Sequence, residues 1–444
     1  MSDLHVRSRI QRSAFRPFLA CVVLVAAGCG SNPSSASPAQ SAPPSTAPSS
    51  AVATPQVSGI ASPSPIASPD AAAVYDAIEG QVVEIRGLPA THAVERQSID
   101  ETQLRAMLTE EFDRQSPPDY VAANEQLLKA LNLIPAGSSL RTLTLDMLSG
   151  GVVGFYRNDQ GKLYVVSKTG APGVTERITF AHEYDHALQD QNFPVFKDQE
   201  GILDQSDRLL ARQAIYEGDA TLLMTLWAAA RFSPQELLEL LAASADPAAQ
   251  AVLNRTPPFL RELLLYPYTT GLSFVQAAQL RAGWDGVNGL YRRMPESTEQ
   301  ILHPEKYASD EAPIAVRMPA DLASQLGSGW SVPLEDTFGE LQLGLWLREA
   351  GVAPATATAA ASGWGGDRLA VVEGPSGAWG VVMHTTWDTS PDALAFADAA
   401  TVAIHGLANP ARISSPAGKD VTVLVASDQV ALLALDVIFG ATGV

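Results

Sequence analysis

Hydrophobic and polar positions divide the chain into an N-terminal part without a folding pattern and a long folded part. Basic residues up to Arg16 precede a twelve-residue apolar run from Pro17 to Gly28, which is the order of an export signal and is too short to span a bilayer. Residues 31–70 are almost wholly Ser, Pro, Ala and Thr, which predicts an unfolded tether. We therefore expect a signal at 1–28, a tether at 29–70 and folded sequence from residue 71.

The folded part begins with helical patterns. Ser98 and Glu101 form a capping-box pattern ahead of apolar residues at helical spacing over 104–112, and a second helix is predicted between Pro118 and Pro135. After these come two strand-like runs, which predict a β-hairpin around a turn and are followed by long helical patterns. The hairpin runs are 152–157 and 162–168 around the turn at 158–161, and the helical patterns start after Gly173 and at 206–231 and continue to about 312.

The last 110 or so residues change to a mixture of strands and helices. The predicted elements are a helix near 335–350, strands at 367–372, 377–387 and 421–426, a helix capped by Ser390, and a closing helix at 429–439. The glycine cluster at 363–366 is predicted to be a turn. The predicted fold is therefore α+β: a mainly helical domain with a small β-hairpin at 71–315, plus a small α+β domain at 316–444.

Charge and cysteine content narrow the possible partners and location. A formal net charge of −19 should repel nucleic acid, so no nucleic-acid partner is expected. Cys21 lies in the predicted signal, and Cys29 directly follows residues 26–28, Ala-Ala-Gly, which resembles the lipobox of bacterial lipoproteins. The resemblance implies an exported protein whose lipid anchor on Cys29 holds it to the outer face of the cell membrane. The alternative is an ordinary secretory signal followed by a free thiol.

The sequence contains one motif typical of a metal-binding active site, HExxH at 182–186. Two histidines at i and i+4, His182 and His186, lie on one face of a helix and can reach a single metal ion. Glu183 is about 100° further around the helix, where it can take a proton from a water molecule that the metal activates. Asp185 departs from the pattern, because the two middle positions of such motifs are usually uncharged.

A catalytic zinc ion needs a third protein ligand. Asn192 occupies the position where a third histidine of the metzincin pattern would fall, so another residue must complete the site. Glu217 is favoured, because a lone glutamate among apolar residues of a helix is costly to bury unless a positive group meets it, and Gly218 beside it permits close packing. The competing candidates are Glu200, Asp204, Asp207 and His303.

The sequence TFAHEYDHALQDQNF at 179–193, followed by YEGDA at 216–220, resembles the gluzincin type of zinc metallopeptidase. More narrowly, it is similar to little-characterised bacterial envelope lipoproteins with HExxHALQDQ and EGDA motifs. The similarity continues through 154–157, 264–274, 297–307 and 363–371. It implies a zincin-like domain with one Zn²⁺ bound by His182, His186 and Glu217. It also implies that the hairpin strand before the zinc helix is an edge strand for an extended peptide.

Further polar residues are candidates for supporting roles. Asp190 could orient an imidazole, although a polar group near a helix end is an equal alternative. Tyr266, Tyr268 and His303 could each donate to a developing oxyanion, but simple packing or turn capping is the more frequent role of such residues. His92, His384 and His405 show no partner pattern.

These observations lead to one main functional hypothesis and two alternatives. The main hypothesis is zinc-dependent hydrolysis of peptide bonds in a peptide or protein substrate, with Glu183 as the catalytic base. The first alternative is a catalytically silent zincin-fold lipoprotein that acts as a binding or assembly module. The second keeps the chemistry but hydrolyses a non-peptide amide such as cell-wall material.

Overall fold

Helices form most of the chain and two small β-sheets accompany them, which confirms the predicted α+β fold. The computed structural model describes residues 69–149, 154–166, 172–193, 202, 204–414 and 418–440. The predicted signal, Cys29, the tether as far as residue 68 and Glu200 lie outside these residues. Among the described residues, no helix has the length and apolar character needed to cross a membrane.

The elements fall into three consecutive groups. The first group is α1 (Pro69–Arg86), β1 (Glu95–Ile99), α2 (Glu101–Gln115), α3 (Pro118–Ala130), α4 (Leu140–Ser149), β2 (Gly154–Arg157), β3 (Lys162–Val166), α5 (Val174–Asn192) and α6 (Ser206–Arg231). The second is α7 (Pro234–Ser244), α8 (Pro247–Arg255), α9 (Pro258–Tyr266), a π-helical segment (Pro267–Gly271), α10 (Leu272–Arg292), α11 (Thr298–Leu302), α12 (Pro304–Ala308) and α13 (Leu322–Leu326). The third is β4 (Ser331–Asp336), α14 (Gly339–Glu349), α15 (Pro354–Ala361), β5 (Trp364–Glu373), β6 (Trp379–Trp387), α16 (Ser390–His405), β7 (Ala411–Ile413), β8 (Asp420–Ala426) and α17 (Gln429–Phe439).

The first sheet has the strand order β1-β3-β2, and the predicted hairpin is its β2–β3 pair. β1 pairs with β3 in parallel, so β3, the strand directly before α5, is central rather than an edge strand. The edge beside the predicted zinc helix belongs to β2 instead. The prediction was wrong on this point because the short polar strand β1, with the sequence ERQSI, has no apolar alternation that would reveal it.

The capping box of α2 also lies at a different position from the predicted one, because the unpredicted strand β1 includes Ser98. Ser98 lies within β1, and Asp100 is the N-cap of α2. The Asp100 side chain accepts from the Gln103 N–H, and the Gln103 side chain accepts from the Asp100 N–H. The helix itself was predicted correctly, but its cap lies two residues further along the chain.

The helices α5 and α6 lie at the centre of the molecule and pack on each other. α5 begins directly after Pro172 and Gly173, as predicted. Every residue from Ile178 to Gln189 is buried, because α1, α6, α7 and the first sheet all pack against α5. The HExxH motif is therefore inside the protein, where each polar side chain needs a partner.

The second sheet is antiparallel throughout, with the order β4-β5-β6-β8-β7. Alternate residues of β5 face opposite sides: Leu369 and Val371 pack with α14 and α16, whereas Ala370 and Val372 pack with α17. Both faces are covered by helices, which explains why the central strands β5, β6 and β8 contain continuous apolar runs.

Three predictions in this region were wrong. The helix expected from about residue 335 begins only at Gly339, because 331–336 form β4. Thr389 rather than Ser390 caps α16, and its side chain accepts from the Asp392 N–H. Residues 364–366, expected in a turn, belong to β5, with a register irregularity between Trp364 and Gly366.

A shared hydrophobic cluster joins the two predicted domains. Leu127 and Leu131, from α3 and its end, lie in the same cluster as Leu334, Trp346 and Leu369 of the C-terminal region. The division into 71–315 and 316–444 stays a prediction.

Candidate metal centre

The three predicted metal ligands meet in the interior. His182 and His186 lie one turn apart on α5, and Glu217 faces them from α6. The His182 Nε2 and His186 Nε2 atoms are 3.0 Å apart. Glu217 Oε2 lies 3.2 Å from His182 Nε2 and 3.4 Å from His186 Nε2. Two imidazoles and one carboxylate thus point their donor atoms at a common centre.

The size of this triangle fits a zinc ion. Zinc binds nitrogen and oxygen donors at about 2.0–2.2 Å, and a tetrahedral arrangement at that radius separates neighbouring donors by about 3.3–3.5 Å. Glu217 Oε1 is buried and has no hydrogen-bond partner among the described residues. A buried carboxylate with an unsatisfied oxygen beside two imidazoles is a set of groups that a divalent cation would satisfy.

The electrostatics of the three ligands are strongly linked. Burial disfavours the charged form of His186, but the nearby charge of Glu217 outweighs burial and raises the pKa of His186 to about 10. Burial also disfavours the charged form of Glu217 and so raises its pKa, but the charge on His186 and the hydrogen bonds from both histidines outweigh burial and lower this pKa to about 2. Burial lowers the pKa of His182. The carboxylate is therefore ionised and attracts positive charge to this point.

Glu183 lies beneath the edge strand β2. The Tyr156 N–H donates to Glu183 Oε2 over 2.8 Å, and a Cβ atom on Gly154 would lie 3.7 Å from Glu183 Cγ. The backbone of β2 therefore holds the carboxylate on the side of α5 that faces the outer edge of β2.

Asp185, the departure from the motif, has a structural explanation. Its Oδ1 lies 3.9 Å from Nε of Arg86, which is fully buried. Arg86 donates two hydrogen bonds of 2.9 Å to Asp219 on α6, and Tyr291 donates another to Asp219 over 2.7 Å. Burial, followed by the charge of Asp219, raises the pKa of Asp185 to about 7 against the opposing effect of Arg86. The acidic residue at this position thus belongs to a buried ionic network behind the candidate ligands.

Gln189 takes the role predicted for Asp190. His186 Nδ1 lies 3.0 Å from Gln189 Oε1, whereas Asp190 accepts a hydrogen bond of 2.9 Å from the Tyr156 hydroxyl. The prediction assigned this role to the neighbouring residue, because side chains three and four residues after His186 both lie on its face of the helix. In the structure the first of them bonds the ring and the second bonds the Tyr156 hydroxyl.

The three candidate oxyanion donors are separated by the fold. Tyr268 lies on the π-helical segment, and its ring centroid is 6.4 Å from that of His182. His303 Nε2 is 2.9 Å from Glu340 Oε1, and Tyr266 is buried where Asp207 and Glu340 influence it electrostatically. Only Tyr268 of these three has a described contact with a candidate ligand.

Close backbone packing places Tyr268 there. A Cβ atom on Gly218 would lie 2.6 Å from the Gly271 carbonyl oxygen, and one on Gly271 would lie 2.5 Å from the Ala214 carbonyl oxygen. Both positions require glycine, because any larger residue would separate α6 from the π-helical segment.

The competing third ligands lie elsewhere. Asp204 accepts hydrogen bonds from Arg368, and Asp207 accepts from the Thr298 N–H and hydroxyl. Asp207 is ten residues before Glu217 on the same helix, which corresponds to about 15 Å. His303 is bonded to Glu340, and Glu200 is outside the described residues.

The sequence pattern did not reveal three members of the site: Arg86, Gln189 and Tyr156. Arg86 ends a helix about a hundred residues before the motif, and nothing local marks it as buried. The available signal was Asp185 itself, because a charged residue on a buried helix face requires a cation. Tyr156 acts through its backbone N–H, which no side-chain pattern can reveal.

Comparisons with known proteins add little to these observations. Residues 329–434 match a family model described as a domain of unknown function, DUF8575. No curated protein matches the chain. One solved structure, described as "a putative hydrolase with a novel fold from Chloroflexus aurantiacus", has a TM-score of 0.33 and 16% identity, over 54% of this chain and 88% of that one. At that level of similarity it supports no assignment of fold or activity here.

Proposed function

We propose that the chain is a zinc-dependent hydrolase of peptide bonds, of the gluzincin type. The observation that carries the proposal is the buried triangle of His182 Nε2, His186 Nε2 and Glu217 Oε2, with distances of 3.0–3.4 Å. The helix that supplies both histidines also supplies Glu183, whose carboxylate is held by the Tyr156 N–H. These are the groups that metal-assisted hydrolysis requires.

Each residue has a defined task in this proposal. His182, His186 and Glu217 would hold the zinc ion, which when bound would supply Lewis-acid activation of a water molecule and of the scissile carbonyl. Glu183 accepts the proton of the attacking water and returns it to the leaving amine. The Tyr268 hydroxyl donates to the oxygen that becomes negatively charged during attack.

The first sheet provides the supporting argument for a peptide substrate. β2 pairs with β3 on one side, and on its other side the Tyr156 N–H points toward Glu183. No other strand of the described residues pairs with this outer edge, and an extended peptide that paired with it beside the Tyr156 N–H would run across Glu183. We propose that main-chain pairing with β2 aligns the scissile bond.

The test uses the purified full chain with a denatured, fluorescently labelled protein as substrate. Glu183→Gln should reduce cleavage by about 10²–10⁴-fold. Zinc content should remain near one ion per chain, because Glu183 is not a ligand. Glu110→Gln, on the exposed surface of α2, is the matched control and should retain wild-type activity. Unchanged cleavage by Glu183→Gln would overturn the proposal.

A different outcome would favour one of the alternatives. Zinc binding without cleavage of any protein substrate would point to a binding or assembly module. Cleavage of cell-wall amides but not of proteins would keep the chemistry and change the substrate.

We also propose that the protein is exported and anchored by lipid on Cys29, which rests on the sequence alone. Cells fed a labelled fatty acid should label the wild type and not Cys29→Ser. Labelling of both would contradict lipidation at this cysteine.

A further inference from the structure

The orientation of the Gln189 side chain is fixed by its surroundings. Its Nε2 donates to Asp185 Oδ2 over 2.9 Å and to the Tyr216 carbonyl oxygen over 3.1 Å. The carbonyl can only accept, so the NH₂ group must face it. Oε1 must then point the other way, toward His186 Nδ1 at 3.0 Å.

This orientation determines which nitrogen of His186 carries the proton when the ring is neutral. An oxygen facing Nδ1 requires a proton on Nδ1, so the lone pair lies on Nε2. Nε2 is the atom that points at His182 Nε2 and Glu217 Oε2. The amide therefore presents His186 in the tautomer that can bind a metal ion through Nε2.

The partners of Gln189 are themselves held in place. Asp185 faces the buried Arg86, whose bidentate partner is Asp219. On α6, Tyr216 directly precedes Glu217, and Asp219 lies two residues after Glu217. The network thus ties the helix of the histidines to the helix of the glutamate.

We propose that Gln189 is a positioning residue that sets the metal affinity of this site through the orientation of His186, with Asp185 holding its amide. The inference deepens the proposed function, since it takes the three buried groups as a metal site. It also gives a reason for an acidic residue within the HExxH motif. Asp185 accepts from Gln189 and is compensated by Arg86.

The first test measures zinc affinity of the full chain by competition with a chromophoric chelator. Gln189→Met keeps the length of the side chain but removes both donors and the acceptor. Its Kd for zinc should rise about 10–100-fold, the usual effect of losing such a supporting hydrogen bond. Gln191→Met makes the same change on the outer side of the same helix, where Gln191 bonds the Thr91 loop, and should bind zinc within about twofold of wild type.

A second pair of variants guards against misfolding of Gln189→Met. Asp185→Leu removes one acceptor of the Gln189 amide, while Arg86 keeps Asp219. Its zinc affinity should fall several-fold. Asp185→Asn still offers an oxygen to the amide and should restore most of that loss. Equal affinities of the Leu and Asn variants would overturn the role of Asp185.

A spectroscopic measurement separates positioning from general stability. In the zinc-bound protein, the His186 Nδ1–H should give a slowly exchanging, downfield proton signal that disappears in Gln189→Met and persists in Gln191→Met. Wild-type zinc affinity and an unchanged signal in Gln189→Met would overturn this inference and leave the proposed function intact. Absence of zinc binding by the wild type would overturn both.

Discussion

The described part of the chain contains two groups of three side chains that could bind a metal ion. The two groups differ in the positive charge that each already contains. His182, His186 and Glu217 are all buried, and among the described residues Glu217 forms ion pairs with these two histidines and with no lysine or arginine. Glu299, Glu311 and Asp388 surround the Lys306 ammonium group at 2.6, 2.8 and 2.5 Å. The second group already contains its cation.

The difference shows why proximity of acidic groups does not by itself define a metal site. A lysine ammonium donates three hydrogen bonds and neutralises charge without any ion from solution. Near the first group, the guanidinium of Arg86 is engaged by Asp219 and Asp185. Without a metal ion, the charge of Glu217 in the first group is met by a proton on His186, which a divalent cation can displace. The second group holds the permanent cation of Lys306 instead.

The largest expected effect is on metal-dependent stability. Zinc at a thousand times its Kd should raise the free energy of unfolding of the wild type by about 4 kcal/mol, because only the folded chain brings the three ligands together. Glu217→Ala should lose nearly all of this gain, as measured by denaturant unfolding with zinc and with a chelator. Glu311→Gln, in the second group, should keep it. An equal loss in both variants would erase the distinction between the groups.

The second-largest expected effect is the loss of stability when Lys306, the cation of the second group, is replaced. Lys306→Met leaves the buried Glu299 without its counter-ion and should destabilise the protein by about 3 kcal/mol at pH 8. The loss should be smaller at pH 5, where Glu299 is protonated. Urea unfolding at both pH values measures it, and equal losses at pH 5 and pH 8 would contradict the assigned role of the lysine.

The third effect tests the close packing that only the first group needs. Gly218→Ala should destabilise the protein by about 1–3 kcal/mol and weaken zinc binding, because a Cβ atom would lie 2.6 Å from the Gly271 carbonyl oxygen. Gly289→Ala is the matched control, since the nearest atom to its Cβ is the flexible end of Arg292 at 3.8 Å. Thermal unfolding and zinc titration of both variants provide the measurement.

The smallest expected effect is the contribution of Glu299, in the second group, to the pH dependence of the free energy of unfolding. Burial raises the pKa of Glu299 to about 7, despite its hydrogen bond from Lys306. The folded state therefore binds a proton more tightly than the unfolded state, so this stabilising contribution is present at acidic pH and lost as the pH rises through about 7. Glu299→Gln should remove a decline on the order of 1 kcal/mol between pH 5 and 8, after allowance for solvent screening. Asp398→Asn, on the exposed face of α16, should leave the decline unchanged.

Helices with a strong apolar period were predictable from the sequence almost to the residue. The predicted 206–231 and 429–439 agree with α6 and α17, because their periodic apolar residues coincide with recognisable ends. β1 and β4 were missed, because their residues carry little alternation and their pairing partners are distant in the sequence. A strand is defined by its neighbours, and a local pattern does not contain them.

The candidate site shows the same division. The spacing of His182, Glu183 and His186 on one helix follows from the sequence alone, since helical geometry is local. The sequence could favour Glu217 as the third ligand but could not show that it reaches the two histidines, because that depends on how α6 packs against α5. Gln189 was passed over in favour of Asp190, since choosing between adjacent positions requires the direction of the helix face.

The sequence by itself determined the helices, the hairpin and the identity of the groups that can bind a metal ion, because these depend on spacing along a single element. Only the tertiary structure decided which strand is the edge, which of several acids faces the histidines and why Asp185 is charged. Those answers depend on contacts between elements far apart in the chain. Arg86 and Asp219 meet across 133 positions, and no local pattern records that they are partners.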